Sequence, residues 1–111
     1  WLPVEPEFNE LLRINDWEIV ACAPAARTES HEWCSYSVYL AYNVFSIDPK
    51  TICVEAAETP LMEQLDQHGF EVIPVEFFDV GPFGGGLHCA TVDIFREGEC
   101  GDYFPKQIEG F

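Results

Sequence analysis

The sequence predicts an α/β protein built from modules of two strands, a helix and a third strand. Two observations support this fold class. A hairpin predicted at residues 43–54 is followed by a helix near 59–68 and by a strand at 70–75. An earlier helix and strand, at residues 5–22, match the later pair position by position. Self-similarity at a fixed spacing is typical of repeat architectures.

The first predicted helix spans residues 5–15, where Phe8, Leu11 and Leu12 fall on one apolar face. Alternating residues at 17–22 then predict a strand. Small and polar residues at 24–31 indicate a loop, and residues 33–40 fit either a strand or a helical turn.

The central module contains residues that are typical of turns and of helix caps. Asp48 followed by Pro49 suits the start of a type I turn between strands 43–47 and 51–54. Thr59 is the predicted N-cap of the next helix, and Gly69 suits the left-handed residue after its end. Cys53, inside the second strand, is expected to be a small core residue.

The two helix–strand pairs match at a constant separation of 53 positions, as Leu12 and Leu65 illustrate. The other matched pairs are Phe8 with Leu61, Glu10 with Glu63, and Trp17-Glu18-Ile19-Val20 with Phe70-Glu71-Val72-Ile73. We therefore predict a single domain, residues 1–111, with one whole module near 43–76 and parts of its neighbours near 5–22 and 88–96.

Composition narrows the classes of function. The 20 acidic and 5 basic residues give a formal charge of −15, which disfavours binding to nucleic acid and to anionic membranes. No apolar run approaches the roughly 20 residues of a membrane span. Five irregularly spaced cysteines without a Cys-x-x-Cys pair argue against a disulfide framework and a structural zinc site. They favour a reducing compartment, which we expect to be the cytoplasm.

A run of three glycines precedes His88 and Cys89, at the start of a predicted strand over 88–96. The run is not a dinucleotide or Walker A motif, since Cys89 stands where a glycine is needed and no Lys-Ser or Lys-Thr follows. Cys89 is either a displayed nucleophile or a buried thiol at a glycine bend. Neighbours on a strand point to opposite faces, so we expect His88 to pack or to hydrogen-bond elsewhere rather than to act as the base.

Residues 84–93, Gly-Gly-Gly-Leu-His-Cys-Ala-Thr-Val-Asp, resemble the active-site segment of amidinotransferases, the arginine-dependent enzymes of the guanidine-modifying superfamily. The resemblance covers residues 10–98 and includes successive pieces at 17–20, 33–35, 40–44 and 48–60. It implies ββαβ modules arranged in a ring, the five-bladed α/β propeller of the penteins, of which this chain would be the C-terminal part.

The resemblance also implies a mechanism, in which Cys89 attacks the guanidinium carbon of arginine, ornithine leaves, and an amine acceptor takes the amidino group from the covalent amidino-cysteine. Ser35 falls where the family has a substrate-contacting serine, and Tyr36 occupies a neighbouring position that is often serine. The implied active-site loop comprises Gly84, Gly85, Gly86 and His88. No cofactor and no metal are implied.

The family's catalytic histidine and guanidinium-binding carboxylates would align before Trp1, so we expect these 111 residues alone to be largely inactive. A second interpretation is an arginine or agmatine deiminase of the same superfamily, in which water replaces the acceptor. A third is an acidic binding or scaffold module with a structural cysteine. The acceptor amine and the oligomeric state, a homo-oligomer included, are left open.

Overall fold

The computed structural model describes residues 6–27 and 37–108. These residues fall into two compact units. One contains the chain up to Ala21 together with the segment from Phe95 onward, and the other runs from Cys22 to Ile94. Within the described residues, no helix is long and apolar enough to cross a membrane.

The central unit contains the predicted module of two strands, a helix and a strand. Its elements are β1 (Phe45–Ser46), β2 (Thr51–Glu55), α2 (Thr59–Gln67) and β3 (Glu71–Val75). β1 pairs antiparallel with β2, with Phe45 opposite Cys53. β3 pairs parallel with β2 across the α2 crossover, with Thr51 opposite Glu71. The hairpin, the second helix and the following strand are thus confirmed.

The core of this unit lies between the sheet and α2. Ile52 and Val54 from β2 and Leu61 from α2 are buried, and Val54 is 0% exposed. Partly buried apolar residues pack around them, namely Tyr42, Val44, Met62, Leu65, Phe70 and Val72. Cys53 lies in β2 as predicted and is half-buried. Alternation along β2 therefore fixes which face of the sheet carries the helix.

The tight hairpin turn depends on Asp48. Its carboxylate Oδ1 accepts hydrogen bonds from the backbone N–H groups of Lys50, at 2.7 Å, and Thr51, at 2.8 Å. These bonds favour the ionised carboxylate and lower the pKa of Asp48, the bond from Lys50 contributing most. The turn predicted at this position thus has a side-chain anchor as well as a proline.

Helix α2 differs from the prediction at its start and agrees with it at its end. The N-cap is Glu58 rather than Thr59, which is already helical. Glu58 is 1% exposed, and its Oε2 accepts a hydrogen bond from Ala26 N at 2.7 Å, which holds the loop before residue 28. At the other end Gly69 has a φ of +86°, and Phe70 N donates to Leu65 O, as in a Schellman motif.

The other unit begins with α1 (Pro6–Ile14), which confirms the first helix. Leu11 on its apolar face is buried, whereas Phe8 on the same face is 39% exposed. Asn15 binds the distant segment at Lys106 through two hydrogen bonds, of 2.8 and 2.9 Å. Trp17 donates from its indole Nε1 to Tyr103 O at 3.1 Å.

The strand predicted at 17–22 is wrong, since these residues are irregular and exposed. Trp17 is stacked on Phe104 and donates its indole N–H to the backbone of Tyr103. Alternation of apolar residues is not sufficient for a strand, because the backbone also needs a neighbouring strand to pair with. The sheet among the described residues has only β1, β2 and β3.

Candidate functional site

The segment that carries Cys89 is a series of turns. A 3₁₀ helix, Phe78–Phe83, ends at Gly84, whose φ of +92° lies in the left-handed region that favours glycine. Residues 87–90 then form a turn, in which Ala90 N donates to Gly86 O at 3.2 Å and Thr91 N donates to His88 O at 3.0 Å. The strand predicted at 88–96 is therefore wrong.

Residues 88 and 89 do not form a strand because their backbone N–H groups bind an asparagine from another part of the chain. A second 3₁₀ helix, Val38–Tyr42, is capped at its C-terminus by Asn43. The backbone O of Asn43 accepts from His88 N at 3.3 Å, and its side-chain Oδ1 accepts from Cys89 N at 3.1 Å. Both backbone donors are thus used by a helix cap rather than by a neighbouring strand.

The same asparagine contacts the thiol. Asn43 Nδ2 lies 3.0 Å from Cys89 Sγ and donates to it. Because Cys89 N can only donate, its bond to Oδ1 fixes the orientation of the amide and directs the NH₂ group at the sulfur. Asn43 therefore contacts both the backbone and the side chain of Cys89.

Close packing explains why a glycine stands at position 86. A Cβ added to Gly86 would lie 2.6 Å from the Cβ of Asn43 and 2.8 Å from its Oδ1. A Cβ on Gly85 would lie 3.1 Å from the Cβ of Cys89. The predicted loop residues Gly85 and Gly86 thus lie against the predicted nucleophile Cys89 and against Asn43, and the lack of a side chain at Gly86 leaves room for Asn43 to reach the thiol.

These contacts lower the pKa of the Cys89 thiol. The main cause is a backbone hydrogen bond from Gly86, followed by the side-chain bond from Asn43 and the N–H of Cys89 itself. Desolvation of the sulfur acts in the opposite direction. Since the thiolate is the nucleophilic form and Cys89 is exposed, the site can present a reactive sulfur to a molecule outside. Two interpretations of Cys89 were given above, a displayed nucleophile and a buried thiol, and its exposure favours a displayed thiol.

His88 contributes to this arrangement through its backbone N–H, which binds Asn43. Among the described residues, no hydrogen bond joins a histidine ring to Cys89 Sγ, and no histidine is among the groups that shift its pKa. We expected His88 and Cys89 to diverge because they lie on a strand. That reason is wrong, because the segment is a turn.

Two predicted site residues lie outside the described part of the chain. Ser35 and Tyr36, expected to contact substrate, fall within residues 28–36. A cavity of about 450 Å³ lies at a different place in the central unit. Its lining includes Arg27, Glu55, Glu76, Phe78 and Asp79 but not Cys89, and the Arg27 guanidinium lies 3.5 Å above the Phe78 ring.

Sequence reasoning missed the role of Asn43. It lies in the stretch 40–44 that resembles amidinotransferases, but nothing in its local sequence indicates a contact 46 residues away. Asparagine at the C-terminus of a helical turn is ordinarily read as a cap. Only the fold shows that the cap is also the partner of the thiol.

The site and module define a class of protein, namely a small α/β scaffold with an exposed, hydrogen-bonded cysteine after a glycine turn. The chain belongs to the arginine deiminase family, whose sequence profile matches residues 3–96. Its similarity to amidinotransferases is confirmed by relatives and by solved structures.

Three similar proteins illustrate this relationship. The L-arginine:L-lysine amidinotransferase of Pseudomonas savastanoi pv. phaseolicola is 31% identical over 87 residues, covering 78% of this chain and 24% of that protein. Mitochondrial glycine amidinotransferase of Xenopus tropicalis is 32% identical over 95 residues, covering 86% and 22% respectively. A solved amidinotransferase of the saxitoxin biosynthetic pathway from Microseira wollei superposes with a TM-score of 0.73 at 30% identity, covering 79% of this chain and 26% of that one. The chain thus spans about a quarter of the length of the relatives that it matches.

Proposed function

We propose that this chain is the cysteine-bearing portion of an amidinotransferase, with Cys89 as the nucleophile. The observation that carries the proposal is the geometry of Cys89, an exposed thiol whose sulfur accepts a hydrogen bond from Asn43 at 3.0 Å and whose pKa is lowered. The names of the relatives supply the reaction class.

In the proposed reaction, the Cys89 thiolate attacks the guanidinium carbon of arginine and forms a C–S bond. The bond from that carbon to the side-chain nitrogen of the departing ornithine then breaks, and this nitrogen takes up a proton. An amine acceptor next attacks the amidino carbon and loses a proton, and the C–S bond breaks to restore the thiolate. Covalent catalysis of this kind divides one difficult displacement into two easier steps.

The resemblance implies that the histidine that transfers protons and the carboxylates that bind the guanidinium are not among these residues. We therefore propose that the 111 residues alone have little turnover. Ser35 and Tyr36 are proposed to contact substrate, and the module of β1, β2, α2 and β3 is proposed to be one blade of the five-bladed propeller. These points rest on the resemblance described above.

One observation favours a second candidate, because the family profile that matches this chain is that of arginine deiminase. In that reaction water, rather than an amine, would release the covalent group from Cys89. Both reactions begin with the attack of Cys89 on the guanidinium carbon, but the leaving group differs. A transferase liberates ornithine, whereas a deiminase liberates ammonia and then citrulline.

Product analysis tests both candidates. The complete gene product would be incubated with arginine and a panel of amines, including glycine and lysine, and amino-acid products would be quantified. Ornithine with an amidinated amine supports the transferase, and citrulline supports the deiminase. Cys89→Ser should abolish either product, whereas Cys100→Ser, at another exposed cysteine, should leave the rate unchanged. Full activity of Cys89→Ser would overturn the proposal.

A further inference from the structure

Asn43 makes three separate contacts with the segment that carries the thiol. Its backbone O binds His88 N, its Oδ1 binds Cys89 N, and its Nδ2 binds Cys89 Sγ. A cap residue needs none of the side-chain contacts, since the Asn43 N–H already donates to Leu40 O at 3.0 Å. The side chain is therefore directed at Cys89 for a reason other than capping.

An amide fits both of these contacts. The Cys89 N–H requires an acceptor and the sulfur anion requires a donor, and the asparagine side chain offers one of each on adjacent atoms. Aspartate, of almost the same shape, keeps the acceptor but replaces the donor with a negatively charged oxygen facing the sulfur. Alanine removes both groups.

The amide is also held in place. Gly86 leaves no room between its own Cα and the Asn43 side chain, as the 2.6 Å separation of an added Cβ shows. The backbone of Gly86 in turn contributes most to lowering the pKa of the Cys89 thiol. The Asn43 amide and the Gly86 backbone, which lie in close contact with each other, are thus the two largest causes of the lowered Cys89 pKa.

We infer that Asn43 is a positioning residue for the nucleophile: its amide locks the direction of the Cys89 side chain and stabilises the sulfur as the thiolate. The inference rests on the proposed function only for its catalytic consequence, because the thiolate can be measured without any substrate.

The test is the pH dependence of iodoacetamide alkylation at Cys89, followed by peptide mass spectrometry on the whole chain. In the native chain, the midpoint for Cys89 should lie below the midpoint for the same residue in urea. Asn43→Asp should raise the native midpoint by about one pH unit or more, and Asn43→Ala by a smaller amount. The alkylation rate of Cys100 serves as an internal reference and should be the same in wild type and in both Asn43 variants.

Asn15→Asp is the matched control. Asn15 also binds distant backbone through its amide, at Lys106, so the change introduces the same charge and the same loss of a donor away from Cys89. It should leave the Cys89 midpoint unchanged. Circular dichroism identifies variants that do not fold, and the comparison of native and urea-unfolded wild type needs no variant at all.

Several results would overturn the inference. These are an unchanged midpoint in a folded Asn43→Asp variant, an equal shift in Asn15→Asp, or a native midpoint for Cys89 that matches the one in urea. In the complete gene product, a shifted midpoint without any amidino adduct would refute the proposed function but not the role of Asn43. An adduct in a protein with an unshifted midpoint would refute the role of Asn43 alone.

Discussion

Replacing Gly86 with alanine tests how closely the thiol and its support are packed. The added Cβ would lie 2.6 Å from Asn43 Cβ, 2.8 Å from Oδ1 and 2.9 Å from Cγ. Carbon atoms in contact prefer about 3.5–4.0 Å, so the asparagine must move by roughly 1 Å. No left-handed φ is involved at this position, so the close contact with Asn43, rather than backbone strain, causes the expected loss.

Two consequences follow from that displacement. Overpacking of this kind costs about 1–3 kcal/mol of the free energy of unfolding. The bonds from Asn43 to Cys89, now 3.0 and 3.1 Å, would lengthen toward about 4 Å, beyond hydrogen-bonding range. The Cys89 thiol should then lose part of what lowers its pKa, and its alkylation midpoint should rise.

The assay combines urea unfolding, followed by circular dichroism, with pH-dependent alkylation of Cys89. Gly98→Ala is the matched control, because an added Cβ there meets nothing within 4 Å. The control should change the free energy of unfolding by less than about 0.5 kcal/mol. If Gly86→Ala is as stable as Gly98→Ala and keeps the wild-type midpoint, the reasoning about this close contact is wrong.

Two further predictions concern the scaffold. Val54→Ala should destabilise the chain by about 2 kcal/mol in urea unfolding, because Val54 is 0% exposed. Val92→Ala, at 82% exposure, should have almost no effect. Equal effects of the two substitutions would contradict the assigned core. Asp48→Ala should destabilise the chain near neutral pH, because the pKa of Asp48 is lower in the folded than in the unfolded chain. The stabilisation by Asp48 is fully present above the unfolded-state pKa and is lost as the pH falls through the folded-state pKa. The difference in unfolding free energy between wild type and this variant should therefore shrink from roughly pH 4 downward, and a constant difference would contradict the role of the Asp48 turn.

Local rules explain much of what the sequence predicted correctly. The Asp48-Pro49 turn, the alternation along residues 51–54 and Gly69 at the end of α2 each act over a few residues, and all are found in the central unit. The start of α2 is an exception, since its N-cap lies one residue before the Thr59 that the local sequence predicts. Glu58 precedes Thr59 as the N-cap without a side-chain capping bond, and its carboxylate instead binds Ala26, 32 residues away.

The errors arise where a long-range partner decides the structure. Residues 88–96 have an alternating pattern, but Asn43 takes the N–H groups of His88 and Cys89 that a strand ladder would use. At the candidate site, the glycines and the cysteine could be identified from the sequence. The amide that faces the sulfur could not, because no local pattern indicates a contact between positions 43 and 89.

The most direct test of the central claim is to trap the covalent intermediate. The complete gene product would be mixed with arginine labelled at the guanidino carbon, quenched in acid without an acceptor amine, and digested for mass spectrometry. The account predicts a labelled amidino group on the peptide that contains Cys89, lost when an acceptor amine is added before the quench. Label on a different cysteine, or product formation without label on any cysteine at any time, would contradict it.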